Sequence, residues 1–308
     1  VPTDIEYTRV EETFTSEGVT CAATVYRPGT ASPGNRTPVI VMAHGFGGVR
    51  ALRLPAYAEL FAAAGYVVML FDYRYFGDSE GEPRQLLDVA SQLADWRAAI
   101  AFARTIDVAD PDTVVAWGTS FAGGHVITTA GSGERLAAII AQVPHVSGPA
   151  AVRATGIRRA LRIAPVALAD TVAALLHRAP RYVASIGPEG SAAVMSAPGA
   201  EEAFERLVTE SGIRRGEYAE TVAARIALRI GLYSPARSAA RVRCPALIQV
   251  ATGDTIAPAA AATRAARSMP DATVLTYEGG HFDPYVAPLF PAVVADQLAF
   301  LRTVAPVD

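Results

Sequence analysis

The chain has 308 residues, 51% hydrophobic and 19% charged, with 27 basic against 30 acidic side chains and a formal net charge of −3. That much apolar sequence can bury one large core and carry an additional subdomain, and the absence of a basic excess removes the electrostatic footprint of a nucleic-acid or membrane-surface binder. Every basic residue is an arginine, so a serine–lysine dyad, a pyridoxal phosphate Schiff base and a lysine-dependent aldolase are excluded for want of an amine.

Residues 5–14 and 19–27 alternate in polarity, as a half-exposed antiparallel entry does. Cys21 falls on the apolar face with Val19, Ala23 and Val25 and reads as a buried structural thiol. Far from Cys244 in sequence, it does not suggest a secreted disulfide framework. A short apolar run at 38–43 then leads into His44-Gly45-Phe46-Gly47-Gly48, whose glycines let the backbone turn freely. A phosphate-binding turn is the competing reading of that cluster, but there is no GxGxxG and no Walker lysine.

Leu52 to Ala64 has helical spacing and stops at Gly65. The run at 66–72 follows, then Gly77-Asp78-Ser79-Glu80-Gly81, which matches GxSxG by letter. No helix opens behind this segment, and Asp78 and Glu80 would oppose a developing oxyanion. Ser79 is therefore set aside as a nucleophile. Leu86 to Ala103 forms a second helical pattern, with Leu86, Val89, Leu93, Trp96 and Ile100 on one side.

The run at 113–117 ends in Gly118-Thr119-Ser120-Phe121-Ala122-Gly123, and helix-compatible sequence follows from His125 to Ala130. Strand, sharp turn and helix with a serine at the apex describe a nucleophile elbow. Ala122 stands where glycine is usual; it is small, and Gly123 follows. A nucleophilic serine needs a base and a group to orient it. His281 follows the run at 272–277 and the pair Gly279-Gly280, while Asp254 follows the run at 245–251 in Thr252-Gly253-Asp254. Each alone could be a turn residue, but the order Ser120, Asp254, His281 is the order expected behind such an elbow. Asp283 is the rival acid; two residues from His281, it is better placed to shape the local loop. Backbone N–H groups of Phe46 and Phe121 are the expected oxyanion donors. No HExxH, CxxC or closely spaced histidine pair exists, so neither metal nor cofactor is expected.

The apolar runs, with a further one at 136–142, are short, nearly continuous and rich in Val and Ile, as in strands covered on both faces. Helical patterns at 258–269 and 284–301 continue the alternation, which implies a doubly wound, mostly parallel sheet. The rhythm breaks at 147–235, a helical, arginine-rich insertion after the sixth strand that is long for a connection. It is expected to form a cap over the carboxyl ends of the strands, dividing the chain into core 1–146, cap 147–235 and core 236–308. Ile157, Leu161, Val166, Leu168 and Leu175 are candidates for lining the substrate pocket, with packing among the cap's own helices as the competing reading. The arginines Arg153, Arg158, Arg159 and Arg162 read as a solvated helix face or, less readily, as a receptor for an anionic substrate.

The motifs at 44–48, 72–81, 118–120, 253–254 and 280–283 resemble those of the α/β-hydrolase superfamily, most closely the branch of capped serine esterases and serine aminopeptidase-like hydrolases. The resemblance covers nearly the whole chain outside the cap. It implies Ser120 as nucleophile, His281 as base, Asp254 as acid, and Phe46 and Phe121 as oxyanion donors, acting on a carboxylic ester or thioester through an acyl-enzyme. An amide or peptide hydrolase, or a carbon–carbon bond hydrolase or lyase of a natural-product pathway, would use the same triad. Tyr75 stands where relatives often have glycine, which points to an altered pocket rim. The expected partner is a small-molecule substrate with an apolar acyl part; self-association is left open. No signal-peptide pattern or long apolar span is visible, which sets the expectation of a cytoplasmic enzyme.

Overall fold

The computed structural model describes residues 5–307, apart from the side chains of Thr155, Ile157 and Arg158. The alternating N-terminal segments form β1 (Tyr7–Ser16) and β2 (Val19–Pro28), paired antiparallel in register from Tyr7–Pro28 to Ser16–Val19. Next come β3 (Thr37–Ala43), α1 (Leu54–Ala63), β4 (Val67–Phe71), α2 (Val89–Ala103), β5 (Ala109–Thr119), α3 (Phe121–Gly131) and β6 (Ala138–Gln142). Strands β3, β4 and β6 are buried at every position, as continuous apolar runs sandwiched between helices must be. Helix α2 starts where Asp88 accepts the Ser91 N–H at 3.0 Å, a side-chain cap on an otherwise orphaned donor.

Between β6 and the next sheet strand lie α4 (Gly148–Thr155), α5 (Ile157–Leu175), β7 (Tyr182–Ala184), α6 (Ala200–Glu210), β8 (Thr221–Ala223), α7 (Ile226–Arg229) and α8 (Ala236–Ala239). The insertion is thus mostly helical, with an antiparallel pair β7–β8 that three-residue strands give too little periodicity to announce. Asp170 of α5, fully buried, ties the insertion together by accepting the N–H groups of Arg181 and Arg225, each at 2.8 Å, and the Arg225 guanidinium at 2.7 and 3.0 Å.

The chain closes with β9 (Ala246–Ala251), α9 (Ala259–Ala266), β10 (Ala272–Tyr277) and α10 (Phe290–Val304). The main sheet has the order β1-β2-β4-β3-β5-β6-β9-β10. Its pairs from β4 onward are parallel, while β1–β2 and β2–β4 are antiparallel. The order reverses about β3, with β4 to one side and β5 to the other, so the loops leaving β3, β5, β6, β9 and β10 open at one end of the sheet. No helix among the described residues is long and apolar enough to cross a membrane.

Candidate active site

Ser120 occupies the turn between β5 and α3 with φ 54° and ψ −115°, a backbone region that side chains rarely adopt. The neighbours hold it there. Ser120 N donates to Gln142 O at 2.9 Å, and Ser120 O accepts from His145 N at 2.8 Å. A Cβ at Gly118 would lie 2.3 Å from the Ala122 carbonyl oxygen, and one at Gly123 would lie 2.9 Å from Pro144 Cβ. The elbow therefore requires glycine at 118 and 123, whereas Ala122 is buried without penalty to the turn.

His281 stands on the loop after β10 and Asp254 on the loop after β9. His281 Nε2 is 2.9 Å from Ser120 Oγ, and His281 Nδ1 is 2.6 Å from Asp254 Oδ2. Asp254 Oδ1 accepts the N–H groups of Ile256 at 2.8 Å and Ala257 at 2.7 Å. All three side chains are over nine-tenths buried, so each of these polar contacts acts in a low dielectric. Asp283 lies apart from this chain of contacts: its carboxylate accepts the Gly280 N–H at 2.6 Å and pairs with Arg206 at 2.6 Å, which steadies the loop just ahead of His281.

The loop after β3 passes directly against the serine, since a Cβ on Gly45 would come within 2.9 Å of Ser120 Cβ. Its far end is anchored by Arg50 N donating to Asp72 Oδ1 at 2.7 Å. Phe46 in this loop and Phe121, the first residue of α3, face each other edge to face with centroids 5.6 Å apart. As the opening residue of a helix, Phe121 carries a backbone N–H with no intrahelical acceptor.

Two cavities meet at Ser120, both bordered by Phe46 and Met195. One is walled mainly by apolar side chains of the insertion, among them Ile163, Ala164 and Ile230; the other includes His281, Phe282, Tyr285 and Leu207. The insertion therefore covers the site. Its α5 face, however, is not the one expected. Leu161, Leu168 and Leu175 are 67%, 59% and 75% exposed, Val166 lines neither cavity, and the Ile157 side chain lies outside the described residues. Arg159, Ala160, Ile163 and Ala164 line the apolar cavity instead. Arg153 and Arg162 are exposed, as a solvated face would be, and Arg158 lies outside the described side chains.

The other candidate residues have structural roles. Ser79 is buried, donating its hydroxyl to Asp72 O at 2.7 Å and accepting the Ala22 N–H at 2.8 Å. Tyr75 keeps the left-handed backbone that glycine would adopt, φ 74°, but lines neither cavity; its ring fills the space beside Gly81. Both cysteines are free, and burial pushes the Cys21 thiol up to about 12. His125 bridges Tyr233 OH at 2.7 Å and Gln92 Oε1 at 2.9 Å. His145, not singled out as a site residue from sequence, lines the apolar cavity, as does Arg159, which the sequence offered only within a cluster read as a solvated face or an anion receptor. A histidine directly behind a parallel strand, at the sheet end that carries Ser120, was the available signal for the first. For Arg159 no local signal separated it from its neighbours. Among the described residues no group of three or more His, Cys, Asp or Glu is arranged to hold a metal ion.

The family model described as X-Pro dipeptidyl-peptidase (S15 family) matches residues 17–281. The quorum-quenching protein AidA of Acinetobacter baumannii (strain MDR-ZJ06) is 46% identical over 294 residues, which cover 96% of this chain and 94% of that protein. The thiohydrolase aneE of Aspergillus aculeatus is 40% identical over 107 residues, 35% of this chain and 34% of its own. Among solved structures, the alpha/beta hydrolase GrgF from Penicillium sp. sh18 superposes with a TM-score of 0.79 at 22% identity, covering 97% of this chain and 99% of that one.

Proposed function

The chain belongs to the family described as X-Pro dipeptidyl-peptidase (S15 family), within the α/β-hydrolase superfamily, and we propose on that premise that it is a serine hydrolase cleaving a carboxylic ester or thioester through an acyl-enzyme. The observation that carries this reading is the unbroken line of contacts from Asp254 through His281 to Ser120 Oγ, at 2.6 and 2.9 Å.

In this mechanism Ser120 Oγ attacks the substrate carbonyl while His281 Nε2 takes its proton. Asp254, fixed by two backbone N–H groups, keeps the imidazole in the right tautomer and stabilises its positive charge. The N–H groups of Phe46 and Phe121 receive the tetrahedral oxygen. His281 then protonates the leaving group, and water repeats the sequence on the acyl-enzyme. No metal or cofactor enters any step.

The two cavities acquire distinct roles from the proton's path. The leaving group must lie against His281 to be protonated, so it belongs in the cavity that His281 lines, and the acyl part belongs in the apolar cavity under the cap. The partner is accordingly a small molecule with an apolar acyl portion. The printed name of one relative, a thiohydrolase, supports the thioester side of this reading. The peptidase description of the family model favours amide cleavage as a second reading.

Matched ester, thioester, anilide and diketone substrates, each run beside Ser120→Ala, test the proposal. It predicts turnover of the ester or thioester well above the anilide and diketone, and loss of that turnover in the variant. Preference for the anilide would establish amide chemistry, and preference for the diketone carbon–carbon hydrolysis.

A further inference from the structure

The cavity assigned to the acyl group is apolar along most of its wall, but Arg159 of α5 reaches into it. Arg159 is half-buried there, and drawing a guanidinium from water toward apolar surroundings costs free energy unless an anion or several acceptors compensate. The protein supplies little compensation: no carboxylate among the described residues pairs with Arg159, and its hydrogen bond is a long one, 3.4 Å from Nη1 to Ser196 Oγ. Three well-shielded arginines contrast with it. Arg50, Arg74 and Arg225 are each held by a buried aspartate, at Asp72, Asp95 and Asp170.

A histidine borders the same cavity. His145, 6% exposed, lines the cavity, and its Nε2 makes no hydrogen bond among the described residues. Burial pushes its imidazole down to about 4, so at neutral pH it is uncharged; its one ring N–H goes to the Tyr233 carbonyl, which leaves Nε2 an acceptor. A guanidinium with no carboxylate partner in an otherwise apolar cavity marks where a bound molecule presents anionic oxygen.

We propose that Arg159 receives an anionic carboxylate on the acyl part of the substrate, so that the preferred substrates are half-esters or half-thioesters of dicarboxylic acids. The inference rests on the serine-hydrolase reading for its assignment of the acyl side. A guanidinium meets a carboxylate with paired N–H donors and a full opposite charge, whereas a neutral ester offers only a weak acceptor. Arg159 is in this account a specificity-determining residue that discriminates among substrates and takes no part in the proton transfers at Ser120.

Binding separates this claim from catalysis. The Ser120→Ala protein is titrated calorimetrically with the monomethyl esters of succinate, glutarate and adipate and with the corresponding dimethyl esters. At one chain length the monoester should bind roughly 10- to 100-fold more tightly than its diester, the range expected of a charge-assisted hydrogen bond. In Ser120→Ala/Arg159→Met that preference should vanish, and in Ser120→Ala/Arg159→Lys part of it should remain; thermal melts of each variant establish that it is folded. Equal affinities for every mono- and diester pair, no binding by any monoester, or a preference that survives Arg159→Met would overturn the proposal. Incubating wild-type protein with the preferred monoester then tests the chemistry separately: tight, Arg159-dependent binding without turnover would leave the anion site standing and refute the hydrolase reading.

Discussion

Asp254 divides its carboxylate between two tasks: Oδ2 lies 2.6 Å from His281 Nδ1, and Oδ1 accepts the backbone N–H groups of Ile256 and Ala257. The second task fixes the direction of the first. Asp254→Asn can keep the loop contacts through its amide oxygen but presents an N–H to the imidazole, favouring the wrong tautomer. Turnover of an activated ester should fall roughly 10⁴-fold, as in a well-studied triad, with little change in KM or melting temperature. Steady-state kinetics and a thermal melt check both halves.

The elbow's tolerance should be sharply uneven. Gly118→Ala places a methyl group 2.3 Å from a backbone carbonyl oxygen, a clash that no rotamer can relieve, so the variant should lose activity and melt well below the parent. Ala122→Gly, which restores the more familiar motif, removes a buried methyl and loosens the start of α3 at a cost of about 1 kcal/mol, while activity persists. Differential scanning calorimetry alongside ester turnover measures the contrast.

Asp283 should behave as a loop anchor. Asp283→Ala removes the acceptor for Gly280 N–H and the partner of Arg206, leaving His281 positioned by Asp254 alone. The expected outcome is a modest fall in turnover, roughly tenfold or less and far smaller than for Asp254→Asn. A comparable loss from the two variants would make Asp283 a member of the proton-transfer chain.

Acid should destabilise the fold through its buried histidines. Burial pushes His125 down to about 3 and His145 down to about 4, and lowers His44 as well. Unfolded, these imidazoles take up protons near pH 6.5. Between that pH and the folded values the unfolded chain binds more protons, so their stabilising contribution is complete above pH 6.5 and is lost as pH falls toward 4 and 3. Each such group adds up to about 1.4 kcal/mol per pH unit within the window. Melting temperatures measured from pH 7 to 4.5 should fall more gently in His125→Gln than in the parent; parallel curves would show that His125 contributes nothing to the slope.

The core strands were legible because each is covered on both faces and so reads as an unbroken apolar run, and the entry hairpin because one face is not. Helix ends were less legible: α2 begins at Val89 and not Leu86 because Asp88 caps it, and α10 begins only at Phe290, after the 3-10 turn Asp283–Tyr285. At the site, Ser120, Asp254 and His281 could be aligned from sequence since each follows a parallel strand, and the strand ends bring together what the chain separates. The pocket could not be read this way. Helix α5 carries leucines outward and alanines inward, so ranking its residues by apolarity selects the wrong face. The position of Arg159 depends on how the insertion folds on itself, as its contact with Ser196 shows, and no local period encodes that.

The central claim is tested most directly by treating the protein with a fluorophosphonate and locating the adduct by peptide mass spectrometry. The account predicts one stoichiometric adduct on Ser120, absent in Ser120→Ala and strongly slowed in His281→Ala, with Ser79 unmodified. An adduct on another residue, or none on a folded protein, would contradict it.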